Sequence, residues 1–221
     1  ISSKPTPALL RGFSAPIKLN YQYSNEELAL LAAKDTDEFV RWDACQQLAF
    51  RALREPSNIL GTDTCSQENT LLTTYEKLLT AENIDPALVA LMLQLPGESL
   101  LHDKKNGVDP DAIHRRRESL RISLAGKLRA KFEAVYHAHN SYQTYKPVSS
   151  QIGLRSLKNT VLDYLMYTEV GVELAWQQFK ESDNMTDQSS ALRFLLNCSR
   201  SGDYARMATE QFECQWKHEA L

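Results

Sequence analysis

From Ser24 onward, apolar residues recur every three to four positions, the spacing of helices that bury one face. Ser24 and Glu27 stand in the relation of a capping box, so a helix should continue through Leu28, Leu30 and Leu31. A second helix is expected from near Thr36, with Phe39, Val40, Leu48, Ala49, Ala52 and Leu53 on one face, until Pro56 stops it. Residues 57–65 read as loop, and Ser66 opens a third helix carrying Leu71, Leu72, Tyr75, Leu78 and Leu79. Asp85-Pro86 and Asp109-Pro110 each place a capping carboxylate before a proline at the first helical position, where the missing amide costs nothing. The first pair opens a short apolar helix, Leu88, Val89, Leu91, Met92 and Leu93, that should be buried and should end at Pro96-Gly97. The second opens an amphipathic helix of about 28 residues with Ile113, Leu120, Leu124, Leu128, Phe132, Val135 and Tyr136 on one face. Beyond Pro147, helices are predicted over 150–166, 169–182, 187–199 and 202–217.

Residues 1–23 follow a different rule. Pro5, Pro7 and Pro16 are followed by an alternation of Ile17, Leu19 and Tyr21 with Lys18, Asn20 and Gln22, the period of a half-buried strand. A lone strand must pair with something outside the chain or lie along the helical body as an extended arm. The fold class is therefore all-α: about nine helices in antiparallel pairs, stacked as a bundle or a curved α-solenoid, after a short extended or β segment. No fixed-period repeat is visible in the sequence.

Composition narrows the partners. The 221 residues carry 25 Lys+Arg against 28 Asp+Glu, a net charge of −3, so no nucleic-acid partner is expected from the charge balance. No run of about 18 apolar residues exists, so no membrane span is expected. Cys45, Cys65, Cys198 and Cys214 lie far apart without a Cys-x-x-Cys pair, which favours reduced thiols and a cytoplasmic location over a disulfide framework. The chain starts at Ile1 rather than Met and shows no leader pattern, which suggests a start inside a longer gene product.

Candidate chemistry is sparse. His218 and Glu219 begin a His-Glu-x-x-His zinc helix but lack its second histidine. His137 and His139 are two residues apart, so a regular helix points them away from each other, and imidazoles near a helix end are the simpler reading. His102 and His114 have no partners at ligand spacing. Arg115, Arg116 and Arg117 form the one basic run, and with Asp111 and Glu118 beside it a solvated helix face is expected rather than a phosphate clamp. Trp42, Trp176 and Trp216 read as core anchors or interface residues. No nucleophile elbow, P-loop or dinucleotide motif occurs, so the expected catalytic, cofactor and metal residues are none.

Several segments together resemble the bacterial aminopeptidase N (alanyl aminopeptidase) family of gluzincin zinc metallopeptidases. They are Leu9 to Leu19 (LLRGFSAPIKL), Arg41 to Ala44, Ile84 to Leu88 (IDPAL), Leu95 with Pro96, and Asp109, Pro110, Ala112 and Ile113. Arg117, Glu118, Leu120, Leu124 and Leu128, the loop Asp183 to Asp187 (DNMTD), and Trp216 with Lys217 complete a colinear set. Residues 57–70 and 199–206 depart from the family's pattern.

The resemblance implies a piece of a larger enzyme, with residues 1–23 the end of a small β-sandwich domain or a linker. Residues 24–221 would then be the first part of a C-terminal helical domain. The family's zinc ligands and its G-x-M-E-N amine-binding loop have no counterpart among these positions, so zinc would be bound outside this chain. The implied partners are the catalytic domain of the same polypeptide and peptide substrates, and the implied role is to enclose the active-site chamber. A shortened helical domain could also self-associate through exposed apolar surface. The competing reading is an independent helical-repeat scaffold that binds a protein partner.

Overall fold

In the computed structural model, residues 5–13, 17, 19–54, 66–101, 109–140 and 145–216 are described. They form ten α-helices: α1 (Asn25–Lys34), α2 (Glu38–Arg54), α3 (Ser66–Leu79), α4 (Pro86–Leu93), α5 (Glu98–Leu101), α6 (Pro110–His139), α7 (Ser149–Leu165), α8 (Gly171–Glu181), α9 (Met185–Asn197) and α10 (Asp203–Trp216). A single 3-10 turn, Arg11–Phe13, precedes them. The fold is all-α, and the extra helix relative to the periodic pattern is the one-turn α5 that follows Pro96 and Gly97. The chain divides into two compact units, residues 1–127 and 128–221, with the border inside α6.

The N-terminal alternation does not make a strand among the described residues. Ile17 and Leu19 are 58% and 36% exposed rather than half-buried. A period of two yields a strand only where a sheet edge exists to pair with, and the described residues supply none. The segment is instead tied to the α1–α2 junction. Arg11 donates to Asp35 and Thr36, the Gly12 amide donates to Asp37 at 2.8 Å, and the Phe13 ring lies 4.6 Å from Phe39. Gly12 has φ +68°, a conformation open to glycine at little cost.

In the first unit, the capping box forms as the sequence indicates: Glu27 N donates to Ser24 Oγ at 3.1 Å and Ser24 N donates to Glu27 Oε2 at 2.8 Å. Asp85 and Asp109 accept from the amides two residues on, at 2.8 and 3.0 Å. The apolar faces of α1, α2 and α3 bury Leu28, Leu31, Val40, Leu48, Leu71 and Tyr75. Each such side chain contributes roughly 1.5–3 kcal/mol by leaving water. The α4 helix buries Leu88, Val89, Met92 and Leu93 but leaves Leu91 50% exposed, so it is a covering helix rather than a wholly interior one. Cys45 on α2 donates to the Met92 carbonyl, and burial pushes its thiol up to about 12.

The second unit is built on α7, α8, α9 and α10 with the last part of α6. Phe132 stacks on Tyr164 with centroids 4.8 Å apart, and the Tyr136 hydroxyl donates to Leu174 O. Trp176 is buried and stacks on Tyr204 at 5.1 Å, which gives it the anchoring role expected of it. The turn from α7 to α8 requires glycine for space: a Cβ on Gly171 would lie 2.1 Å from Leu165 O.

Two tests follow from this packing. Gly171→Ala should destabilise the second unit by an amount at or above the upper end of the about 1–3 kcal/mol typical of overpacking, because the obstacle is backbone that cannot rotate away. Urea unfolding of both forms measures it, and an unchanged midpoint would show that the α7–α8 turn opens freely. Asp37 is held below the usual carboxylate range by hydrogen bonds from the Val40 and Gly12 amides. A lowered folded-state pKa means that its stabilisation is complete above the unfolded value of about 4 and is lost as pH falls through the folded value. Asp37→Asn should therefore flatten the acid limb of a stability-against-pH profile while changing its shape little at pH 7.

Candidate functional site

The strongest concentration of polar chemistry lies in the second unit, where one helix interrupts its apolar face with charge. Along α7, Leu157, Val161, Leu162 and Leu165 face the core, and Lys158 and Asn159 share that buried side. Buried Gln178 on α8 and buried Asp187 in the first turn of α9 meet them. Lys158 Nζ donates to Asp187 Oδ2 at 2.7 Å, with side chains only 7% and 4% exposed. Asn159 donates to Asp187 Oδ1 at 2.7 Å, and Asn184 donates to Oδ2 at 3.2 Å. The Gln178 amide donates to Asn159 Oδ1 at 2.8 Å and to the Asp187 carbonyl at 3.0 Å.

This network gives the DNMTD segment its physical meaning. Asn184 caps α9 by accepting from Asp187 N at 3.0 Å. Asp183 accepts from Tyr145 N at 2.9 Å, and that bond, followed by the one from Asn184, holds its carboxyl below the usual range. Asp187 then takes three donors at once. The Asp187 carboxylate is committed to fold-holding bonds, so it is a poor candidate for a general base, which needs a free site within reach of a substrate proton; the Gln178 Oε1 is the one buried oxygen of the network left without a donor.

A polar cavity of about 180 Å3 adjoins the network, lined among others by His139, Tyr145, Arg155, Lys158, Gln178 and Asp183. His139 is half-buried, and that burial lowers its pKa, while His137 is exposed and meets the Tyr136 ring edge-on at 5.5 Å. The two imidazoles thus sit in different surroundings, as their spacing requires. His114 is exposed and pairs with Glu98 at 2.9 Å. His102, Cys65, His218 and Glu219 lie outside the described residues. Among the described residues no three His, Cys, Asp or Glu side chains converge as metal ligands, and no helix is long and apolar enough to cross a membrane.

The arginine run differs from the solvated face expected of it. Arg115 is exposed and lies 3.6 Å from Asp109, but Arg116 Nη2 donates to Ala52 O at 2.9 Å and Arg117 Nε donates to Pro96 O at 3.2 Å. Two of the three are structural ties.

A family profile described as "Domain of unknown function (DUF3458_C) ARM repeats" matches residues 25–221. The chain belongs to this family. It is 32% identical to aminopeptidase N of Haemophilus influenzae, covering 100% of this chain and 25% of the relative. It is 35% identical to aminopeptidase N of Escherichia coli over 86% of this chain and 22% of that protein. A crystal structure of Legionella pneumophila aminopeptidase A in complex with aspartic acid superposes with a TM-score of 0.79 at 27% identity, covering 99% of this chain and 26% of that one. The resemblance to aminopeptidase N therefore extends along the whole chain, which spans about a quarter of the length of these relatives.

The network is only partly legible in the sequence: Asp187 falls within DNMTD, whereas Lys158, Asn159 and Gln178 fall in no segment of the resemblance. The available signal was a lysine standing on the i, i+3, i+4 stripe of an otherwise apolar helix face. Asp187→Ala should cost about 3–5 kcal/mol, because it leaves the Lys158 ammonium buried without its counter-ion. Lys158→Met combined with Asp187→Ala should cost clearly less than the two single losses added together. Additive losses in denaturant titrations would show that the two groups are not coupled.

Proposed function

We propose that this chain is the non-catalytic helical part of a zinc-dependent aminopeptidase that removes N-terminal residues from peptides. The observation that supports it best is the joint match: an ARM-repeat family over residues 25–221, within aminopeptidase N relatives about four times longer. On this reading residues 1–23 close a preceding β-sandwich domain or link to it, and residues 24–221 are the first part of the C-terminal helical domain. Its place in the whole enzyme, which would work in the cytoplasm, is to enclose the active-site chamber and restrict entry to peptides.

The residues described here do not fit a catalytic zinc. His114, His137 and His139 are dispersed, and Asp187 is consumed by three hydrogen-bond donors. On this reading the metal's ligands and the reacting groups lie in other parts of the polypeptide, and the catalytic domain is this chain's partner. An independent scaffold lacks a comparable supporting observation, since the relatives found are whole aminopeptidases.

The 221-residue chain incubated with alanine p-nitroanilide and zinc should release no nitroaniline above the blank. The same reading frame extended upstream should contain His-Glu-x-x-His, and its product should turn the substrate over until a chelator is added. Chelator-sensitive turnover by the short chain alone would overturn the placement of the chemistry, and a short Met-initiated frame would favour the scaffold.

A further inference from the structure

Gln178 and Arg155 both line the polar cavity of the second unit, and each brings to it a buried polar atom without a partner. Gln178 is 2% exposed; its Nε2 is spent on Asn159 Oδ1 and the Asp187 carbonyl, and its Oε1 accepts from nothing. Arg155, one turn before Asn159 on α7, holds its guanidinium carbon 4.9 Å from the Tyr145 ring centroid and donates from Nη1 to Gln151 at 3.3 Å, while its Nε donates to nothing. A buried polar group left unpaired carries its full desolvation penalty, and such groups in a folded protein point to a missing partner. An orphan acceptor and an orphan donor beside one space call for a molecule that supplies one donor and one acceptor.

Size and charge select the occupant. The cavity's volume of about 180 Å3 is many times the roughly 10–15 Å3 that one water needs, and it falls below the roughly 300–1,000 Å3 of sites for drug-sized ligands. A molecule of a few heavy atoms fits. The lining carries both signs, with Arg155 and Lys158 against Glu181, Asp183 and Asp187. Lys158 and Asp187 are spent on each other, which leaves the Arg155 guanidinium and the exposed carboxylates of Glu181 and Asp183. Burial lowers the His139 pKa, so its imidazole is neutral at pH 7 and leaves that balance unchanged. A small anion would meet two carboxylates, and a small cation would meet the guanidinium. A zwitterion meets both signs at once, with donors at one end and acceptors at the other.

We propose that this cavity binds a small free α-amino acid, of the size of glycine or alanine, whose carboxylate accepts from Arg155 Nε and whose ammonium donates to Gln178 Oε1. Glu181 and Asp183 supply the opposite charge on the ammonium side. Both bonds are charge-assisted, which makes them stronger than neutral ones. Filling Gln178 Oε1 also supplies the donor that the Lys158–Asp187 network lacks, so a bound amino acid stabilises the second unit by mass action. The inference goes beyond the aminopeptidase reading and does not rest on it, because the binding is a property of the 221-residue chain itself.

Titration calorimetry on the chain tests it, with L-alanine, propionate and ethylamine as probes. L-alanine should bind saturably and raise the melting temperature. Propionate and ethylamine each lack one charged end and should bind at least about tenfold more weakly, the loss expected for one charge-assisted bond. Arg155→Gln should weaken L-alanine by about the same factor and leave the weak ethylamine binding unchanged, whereas an arginine that only holds the fold would move both together. Circular dichroism checks that the variant keeps its helices, and the three probes on the unsubstituted chain decide the matter without it. In heteronuclear NMR, the amide signals that L-alanine shifts should cluster at His139, Arg155, Gln178 and Ser182, which line the cavity. No saturation by L-alanine at tens of millimolar, equal affinity for propionate or ethylamine, a folded Arg155→Gln that binds like the parent, or shifts gathered elsewhere would each overturn the proposal and leave the cavity to ordered water.

Discussion

The second unit depends on one buried ion pair. Taking Lys158 and Asp187 out of water costs several kcal/mol per ion, and their attraction offsets this only if the remaining polar positions are also satisfied. Asn159, Asn184 and Gln178 supply that satisfaction, and they come from α7, the α9 cap and α8. An apolar contact among three helices tolerates sliding by a fraction of a turn. A carboxylate with three donors at hydrogen-bond distance does not, because a shift of an ångström would strand a buried charge. The network thus fixes the register of α7, α8 and α9, and with it the stacking of Phe132 on Tyr164 and of Trp176 on Tyr204.

The same bonds show what the DNMTD loop contributes to the fold. Asp183 fastens the stretch at Tyr145 ahead of α7, Asn184 caps the helix, and Asp187 anchors the interior, so three of five residues in DNMTD carry separate bonds. Only Met185 and Thr186 are free of that duty in the network. The polar side chains of Asp183, Asn184 and Asp187 are thus occupied in holding the fold.

Much of the helical architecture was legible because its determinants are local. Ser24 with Glu27, Asp85 with Pro86 and Asp109 with Pro110 each mark a helix start within four residues, and the observed helices begin there. What escaped was non-local. The alternation at Ile17, Leu19 and Tyr21 carries the period of a strand, but strand formation depends on a partner edge that the same stretch cannot specify. Lys158 stands on an apolar stripe, but nothing near it in sequence names its counter-ion, since Asp187 lies 29 positions away. Gly171 shows no sequence sign of the Leu165 carbonyl that excludes a side chain.

The arginines extend the same argument and explain why charge arithmetic said so little about binding. The last four carbonyls of a helix have no partner within it, and each needs a donor from elsewhere. Arg41 supplies one to Ala32 near the end of α1, and Arg116 supplies one to Ala52 near the end of α2. Arg200 serves Met166 and Thr168 just past α7, Arg117 serves Pro96 beyond α4, and Arg51 serves Tyr23 ahead of α1. A guanidinium suits this work because its planar fork offers several donors at fixed angles and stays charged at any working pH. In an all-α chain with many helix ends, a sizeable share of the positive charge is therefore committed to the backbone before any ligand is considered. A run such as Arg115, Arg116 and Arg117 reads as a solvated face in sequence, and in structure two of its members hold the end of α2 and the loop that follows α4.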